Sequence, residues 1–367
     1  MRSRFLLGFA LLLNSRLTRA EPESSPGPDS KSRALPVAAA LLPGAIAHGA
    51  GHLALGETAT AKNLLLMESL GLGLFLSGGA TIVLTGASRY LVAPAATVTM
   101  AGFGLFSTSY LADIYGTLSR DGGAALSRYR APARWETELG YRRVQDPEFA
   151  YRDFLVQRVS RQIGAFRLTP SGWFSFRGDT ARYRLETQYR LAGDVTSPRP
   201  RDASFVDLTL GFVHQRHRPE HFSKSSAELS VDARYDLGRL GPTLRGAFVE
   251  LGAGYALGRI DYDLRGLTVP HDLEHLLLGR IGFGVILRGQ SAPGSEALVY
   301  YDHRHDDYAA GLKLTGIGSG VVGHFGSSLR WFFSESIGVA VDAQVGSAYL
   351  GGASLLFRSQ ARAGSGR

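Results

Sequence analysis

One segment of this chain alternates apolar and polar side chains without a break. Residues 181–191 read ARYRLETQYRL. Successive side chains of a β-strand point to opposite faces, so one face of this segment would carry Ala, Tyr, Leu and Thr and the other Arg, Glu and Gln. A strand of about 9 to 11 residues is also long enough to cross a bilayer. The alternation therefore predicts a strand that separates an apolar medium from a polar interior.

The same alternation recurs through the last two thirds of the sequence. Residues 227–237 and 337–345 repeat it, and alternating runs bounded by turn residues predict about twelve strands between 131 and 358. One of these strands is predicted over 307–316. Residues 148–163 instead fit a short helix, because their apolar side chains recur at helical spacing, although a long strand fits nearly as well. An even number of strands puts both ends of the sheet on one side.

The last predicted strand resembles the C-terminal assembly signal of outer-membrane barrels. Gly352, Leu355 and Phe357 match its glycine, apolar and aromatic positions, although a polar tail over 359–367 follows them. Over residues 133–358 the chain is similar to the broad class of bacterial outer-membrane β-barrel proteins, by pattern and not by a family-specific motif. The resemblance implies a mainly β fold, an antiparallel transmembrane β-barrel of about 12 strands in the bacterial outer membrane. It also implies insertion by the barrel assembly machinery, with outer-membrane lipids and envelope proteins as further partners.

The N-terminus has the composition of an export signal. Arg2 and Arg4 precede an apolar run over 5–13, and small residues follow it, which predicts a signal peptide over 1–20. Residues 21–34 consist largely of Pro, Ser and charged residues with little to bury. They are predicted to form a disordered linker.

Charge and cysteine content exclude several classes of function. The formal net charge is +8, but the four arginines of the predicted signal peptide leave 8 − 4 = +4 for the mature chain. This charge does not argue for a nucleic-acid partner. The chain has no cysteine, which excludes disulfides, thiolate metal ligands and cysteine nucleophiles. No cofactor is predicted.

Residues 35–130 form a segment of different character, rich in Gly and Ala and strongly hydrophobic. Within it, residues 69–88 and 90–112 carry no charge and are separated only by Arg89, which predicts a helical hairpin. The many glycines favour a compact helical bundle at the periplasmic end or in the interior of the barrel. The alternative placement is an inner-membrane anchor.

Two pairs of histidines are weak candidates for metal binding. His48 and His52 are four residues apart, as metal ligands on a helix can be, but the glycines between them weaken a helix. His303 and His305 belong to a polar run between two predicted strands, for which a salt-bridged turn is the better interpretation. Glu68 lies in an apolar stretch and is a functional candidate unless it is paired.

The polar faces of the predicted strands supply the remaining candidate residues, because in a closed barrel these faces would line the lumen. The lumen candidates are Arg182, Arg184, Glu186, Arg190, Glu228, Asp232, Arg234 and Glu250. The favoured function is a narrow channel or a structural envelope component of unknown substrate.

Two other functions stay open at this point. An inner-membrane hairpin could carry a periplasmic β-domain that acts as a binding or scaffold module. A barrel-embedded lipid-processing enzyme would need a nucleophile and a base, and His324, Ser327 and Ser328 are the nearest set, but no neighbouring carboxamide completes it. No catalytic residue is therefore assigned.

Overall fold

The computed structural model describes most of the chain between residues 34 and 359. The described residues are 34–86, 91–118, 133–147, 153–193, 203–218, 221–240, 244, 246–262, 272–287, 294–304, 308 and 323–359. The predicted signal peptide over 1–20 and nearly all of the predicted linker over 21–34 therefore lie outside the described residues.

In the part of the chain that the structure describes, four α-helices precede the strands. Two short ones, α1 (Ala34–Leu41) and α2 (Ala50–Ala54), are followed by two long ones, α3 (Thr58–Leu84) and α4 (Val92–Leu118). Helix α3 is long and apolar enough to cross a membrane. Helices α3 and α4 pack against each other as the predicted hairpin, and glycines at their contact let the two backbones approach closely.

Twelve strands follow the helices. Their bounds are β1 Trp135–Gln145, β2 Asp153–Ile163, β3 Phe166–Ser175, β4 Thr180–Ala192, β5 Phe205–His217, β6 Phe222–Asp236, β7 Ala247–Tyr262, β8 Asp272–Leu287, β9 Ser295–Asp302, β10 His324–Phe332, β11 Ile337–Val345 and β12 Tyr349–Ser359. Each strand pairs antiparallel with its sequence neighbours, and β12 pairs with β1 to close the barrel. The predicted twelve-strand antiparallel barrel behind a hydrophobic helical segment is confirmed.

The strand count was right although the helix predicted over 148–163 was wrong. Residues 153–163 form β2 and not a helix, because they pair with both β1 and β3 over almost their whole length. Long-range pairing decides here over local helical spacing. The strand predicted over 307–316 lies outside the described residues except for Tyr308, and β9 pairs directly with β10.

The outer wall of the barrel is apolar along its whole circumference, and aromatic side chains gather near both of its ends. We call the end where β1 begins and β12 finishes the terminal end, and the opposite end the distal end. Exposed aromatic residues of the terminal end include Trp135, Tyr189, Tyr235 and Trp331, and those of the distal end include Tyr141, Tyr183 and Tyr349. Two such belts are typical of a barrel whose ends meet the two interfaces of a bilayer.

The helical hairpin contacts the outer wall of this barrel. Arg280 and Ile286 of β8 line the interior, so the alternating Phe283 and Val285 point outward. Both outward residues are nevertheless buried, because α4 packs on them. The expectation that the hairpin sits inside the barrel or at its periplasmic end is therefore wrong for α4. Glycine content predicted close packing correctly but could not identify the surface that would be packed.

Candidate lumenal site

The inward faces of the strands enclose a cavity of about 580 Å³ in the barrel interior. Its charged lining consists of ten arginines and nine carboxylates. These are Arg142, Arg158, Arg167, Arg184, Arg190, Arg234, Arg280, Arg304, Arg330 and Arg358, with Glu136, Glu138, Glu186, Asp207, Glu228, Asp232, Glu250, Glu296 and Asp302. Because the two signs nearly balance, the placement of individual pairs decides the local field more than the net charge does.

Seven of the eight lumen candidates predicted from sequence line this cavity, as the alternation required. The eighth, Arg182, is buried at the distal end, where its guanidinium lies 6.0 Å from the ring centres of Trp173 and Tyr308. Whether any of the eight acts in permeation stays a prediction.

Glu228 of β6 is at the centre of one ion-pair network. Its carboxylate lies 2.9 Å from Nη2 of Arg184 on β4 and 2.8 Å from Nη2 of Arg304, which follows β9. Arg184 also contacts Glu186 at 3.0 Å. Since β6 and β9 are not neighbours in the barrel, the contact of Arg304 with Glu228 reaches across the lumen. This network narrows the interior at its level.

A second network is centred on Arg234 of β6. Its guanidinium lies 2.5 Å from Glu250 on the adjacent strand and 3.0 Å from Glu296 on β9. The Arg234 guanidinium also lies 3.9 Å from the centre of the Phe248 ring. A further pair with Asp207 holds Arg190, with Nη2 to Oδ2 at 3.0 Å. These charge-assisted contacts hold the arginine and carboxylate side chains in fixed positions inside the lumen.

Strand β1 takes part in two more contacts between strands that are not neighbours. Glu136 is 2.6 Å from Arg330 of β10, and Arg142 is 2.9 Å from Asp342 of β11. Sequence reasoning missed Glu136 and Arg330 although both stand at polar positions of alternating strands. It also missed Arg158, which lines the cavity, because the apolar spacing over 148–163 predicts a helix there.

Apolar clusters fill the interior toward both ends of the barrel. At the distal end Tyr308 packs with Val144, Phe154, Val156 and Leu350. At the terminal end the inward residues form two clusters, one with Ala203, Phe248, Ile286, Leu298 and Tyr300 and one with Phe332 and Leu356. The charged cavity is thus bounded by apolar side chains above and below, which makes the described interior narrow.

The weak metal candidates His48 and His52 make hydrogen bonds instead. Nδ1 of His48 is 2.6 Å from Oγ of Ser109, and Nδ1 of His52 is 2.7 Å from Oδ1 of Asp113. His303 is 2.9 Å from the Tyr301 hydroxyl. No group of three or more potential ligands able to hold a metal occurs among the residues that the structure describes, and His305 lies outside them.

A buried polar cluster joins the segment around α2 to the helical hairpin. Asp113 of α4 accepts hydrogen bonds from the backbone N–H groups of Gly49, Gly51 and His52 at 2.9, 3.2 and 3.1 Å. Glu68 of α3 accepts one from the N–H of His48 at 2.8 Å. Glu68 is thus paired, and its burial is explained without a catalytic role. Asp113 was missed, although it is the first charge after a long neutral run.

Acid should loosen this polar cluster. Burial lowers the pKa of His48 below its usual 6.5, against the opposing influence of Glu68 and Asp113. The unfolded segment therefore binds a proton more readily, and the stability of the folded segment falls as the pH drops through about 6.5 and below. We expect faster hydrogen exchange over 42–52 at pH 5.5 than at pH 7.5, after correction for intrinsic rates. His48→Asn, which can keep the bond to Ser109, should lose this pH dependence; an equal dependence in both proteins would contradict the assignment.

The residues considered for lipid chemistry are not brought together. His324 is buried and its Nδ1 faces the carbonyl oxygen of Arg304 at 3.4 Å, whereas Ser327 is exposed on the outer wall. Ser328 is on the same face as His324 but four residues further along an extended strand, at about 13 Å. The set therefore lacks the hydrogen-bonding distance that a nucleophile and its base require.

No protein-family model and no curated protein matches this sequence. Among solved structures, the chain is similar to the translocator domain of the autotransporter NalP from Neisseria meningitidis, with 14% identity, a TM-score of 0.37 and coverage of 62% of this chain and 89% of that one. It is also similar to outer membrane protein Omp33 from Acinetobacter baumannii, with 12% identity, a TM-score of 0.30 and coverage of 62% and 98%. The toluene transporter TodX from P. putida has 9% identity, a TM-score of 0.31 and coverage of 63% and 91%.

The geometry of the barrel itself places the protein. A closed barrel satisfies the backbone hydrogen bonds of its strands, and an apolar exterior with two aromatic belts belongs in a bilayer. A periplasmic β-domain would expose this apolar wall to water, so that alternative does not fit. The protein is a transmembrane β-barrel of the bacterial outer membrane.

Proposed function

We propose that this protein is a narrow outer-membrane channel for small polar solutes. The observation that carries the proposal is the charged cavity of about 580 Å³ enclosed by the barrel. Arginines and carboxylates inside a closed barrel need water or polar partners. A path for small polar solutes provides the water, and the charged side chains line it. Ion pairs across the lumen and the apolar clusters toward its ends limit the path to solutes of small diameter.

Two substitutions with opposite charge effects test the channel. Arg184→Gln removes a positive charge from the lumen, and Glu228→Gln removes a negative charge from the same network. In planar bilayers with a KCl gradient, we expect the reversal potential to move toward cation preference in the first variant and toward anion preference in the second. Both should raise single-channel conductance, because each breaks a contact that narrows the lumen.

Arg259→Gln is the matched control, since Arg259 is on the outer face of β7 and pairs with Asp261 there at 2.7 Å. It should leave conductance and reversal potential at the wild-type values. Currents whose selectivity is the same in all four proteins would refute a path through this lumen.

A closed structural barrel is the second candidate, and the cross-lumen ion pairs favour it. In that case purified protein would migrate faster unboiled than boiled on a gel, as a folded barrel does, and would give no current in wild type or in either lumen variant.

Insertion by the barrel assembly machinery through the C-terminal strand is part of both proposals, and contacts with outer-membrane lipids and envelope proteins accompany them. Neither proposal involves a cofactor or a catalytic residue.

A further inference from the structure

Helix α3 presents an apolar face that nothing in the described part of the chain covers. Leu66, Leu70 and Leu76 are 68%, 55% and 57% exposed. The last sixteen residues of the helix, 69–84, carry no charge. A helix of 27 residues is about 40 Å long, enough to cross the hydrocarbon core of a bilayer. In water, an exposed apolar surface of this extent would be costly.

Helix α4 is held between α3 and the outward face of the barrel. The ring of Phe283 on β8 fits against Gly104, where no side chain intervenes. Phe103 lies 5.9 Å from Phe325 of β10, measured between ring centres. Near the end of the helix, Tyr115 packs with Ala247 and Val285. These contacts use side chains of the wall that elsewhere faces lipid.

The contacts also give the depth and direction of the hairpin. Phe325 is the second residue of β10, in the distal half of the barrel, whereas Ala247 begins β7 at the terminal end. Helix α4 therefore runs along the barrel from its distal half to its terminal end, and α3 runs the opposite way beside it. The charges of α3 and α4, which are Lys62, Glu68 and Asp113, all belong to the terminal-end portion of the hairpin.

We propose that the α3–α4 hairpin is embedded in the same bilayer as the barrel, with α4 against the wall and the apolar face of α3 against lipid acyl chains. The exposed face of α3 continues the lipid-facing surface of the barrel at the same depth. The uncharged portions of both helices lie at the level of the hydrocarbon, and Lys62 lies toward the terminal-end interface. Glu68 and Asp113 are buried and accept hydrogen bonds from backbone N–H groups, so neither carboxylate faces the acyl chains. Acyl chains are the one partner that fits both surfaces at once.

Spin labels attached to single cysteines test the placement, and the cysteine-free chain needs no prior substitution. The full protein would be labelled at Glu57→Cys, Leu70→Cys or Leu84→Cys and reconstituted into phospholipid vesicles. Glu57 and Leu84 are each about 20 Å along the helix from Leu70. Of the labelled positions, Leu70 should be the most accessible to oxygen and the least accessible to a water-soluble nickel chelate. At Glu57 we expect the opposite, with high accessibility to the nickel chelate and low accessibility to oxygen. Leu64→Cys, at a fully buried position, should be poorly accessible to both agents.

Nickel accessibility at Leu70 equal to that at Glu57 would overturn the proposal, because the face would then be in water. Contact with the wall is tested separately by treating the double variant Phe103→Cys and Phe325→Cys with a short bismaleimide, which should cross-link the two thiols in vesicles, because the two rings that they replace are in contact. The pair Leu70→Cys and Phe325→Cys, with Leu70 on the lipid side, should not. A cross-link in the second pair and none in the first would also overturn the proposal, and neither readout depends on channel activity.

Discussion

Replacing Asp113 with alanine is expected to detach the segment around α2 from the helical hairpin. The carboxylate is fully buried and accepts three backbone N–H bonds and the contact from His52. Each buried donor left without an acceptor costs about 1–3 kcal/mol, so the loss should be on the order of 3 kcal/mol or more. Hydrogen exchange of the amides of residues 49–54 in the intact protein would measure it as a fall in the free energy of local opening.

Glu57→Ala provides the control for the Asp113 variant. Glu57 is largely exposed, and its carboxylate is 3.8 Å from Nε2 of His52. Because exposed ion pairs contribute about 0–1 kcal/mol, exchange in this variant should stay close to that of wild type. If both variants opened equally, the hydrogen bonds to Asp113 would not be what holds the segment in place.

Replacing Gly102 with alanine is expected to force the two helices of the hairpin apart. A Cβ atom at this position of α4 would lie 2.6 Å from the carbonyl oxygen of Gly71 and 2.8 Å from the carbonyl carbon of Leu74 on α3, and closer still to the amide nitrogen of Phe75. These are backbone atoms, which cannot move aside without moving the helix. Overpacking costs about 1–3 kcal/mol, and a contact with a rigid backbone belongs at the upper end. Proteolysis of the hairpin in vesicles should accelerate while the barrel keeps its heat-modifiable gel mobility.

Gly73→Ala is the matched control for the same helix pair. A Cβ at Gly73 of α3 would meet nothing within 4 Å. The substitution should leave the hairpin intact and add about 1 kcal/mol of helix stability, since alanine is the better helix former. Equal protease sensitivity of the two alanine variants would mean that close approach of the backbones is not required.

The close packing of the helical hairpin could be predicted from sequence, but its position on the barrel wall could not. Glycines at 71, 78 and 102 predicted that the two helices would pack closely against each other. They carry no information on the barrel wall, against which α4 also packs. The ring of Phe283 that meets Gly104 comes from a strand about 180 residues later in the chain. Only the folded barrel brings these positions together, so no local pattern could place α4 outside the wall.

Sequence alone determined the barrel and the inward or outward direction of most side chains, because the two-residue period of a strand is a local property. That is why seven of the eight predicted lumen residues line the cavity. Tertiary structure decided which charges meet: Arg304 with Glu228 and Arg234 with Glu296 join strands that are not neighbours, and their distance in the sequence hides the pairing. It also decided the state of residues 153–163, where pairing with β1 and β3 outweighed helical spacing. Local periodicity fixes a side chain's direction, whereas its partner depends on how the sheet closes.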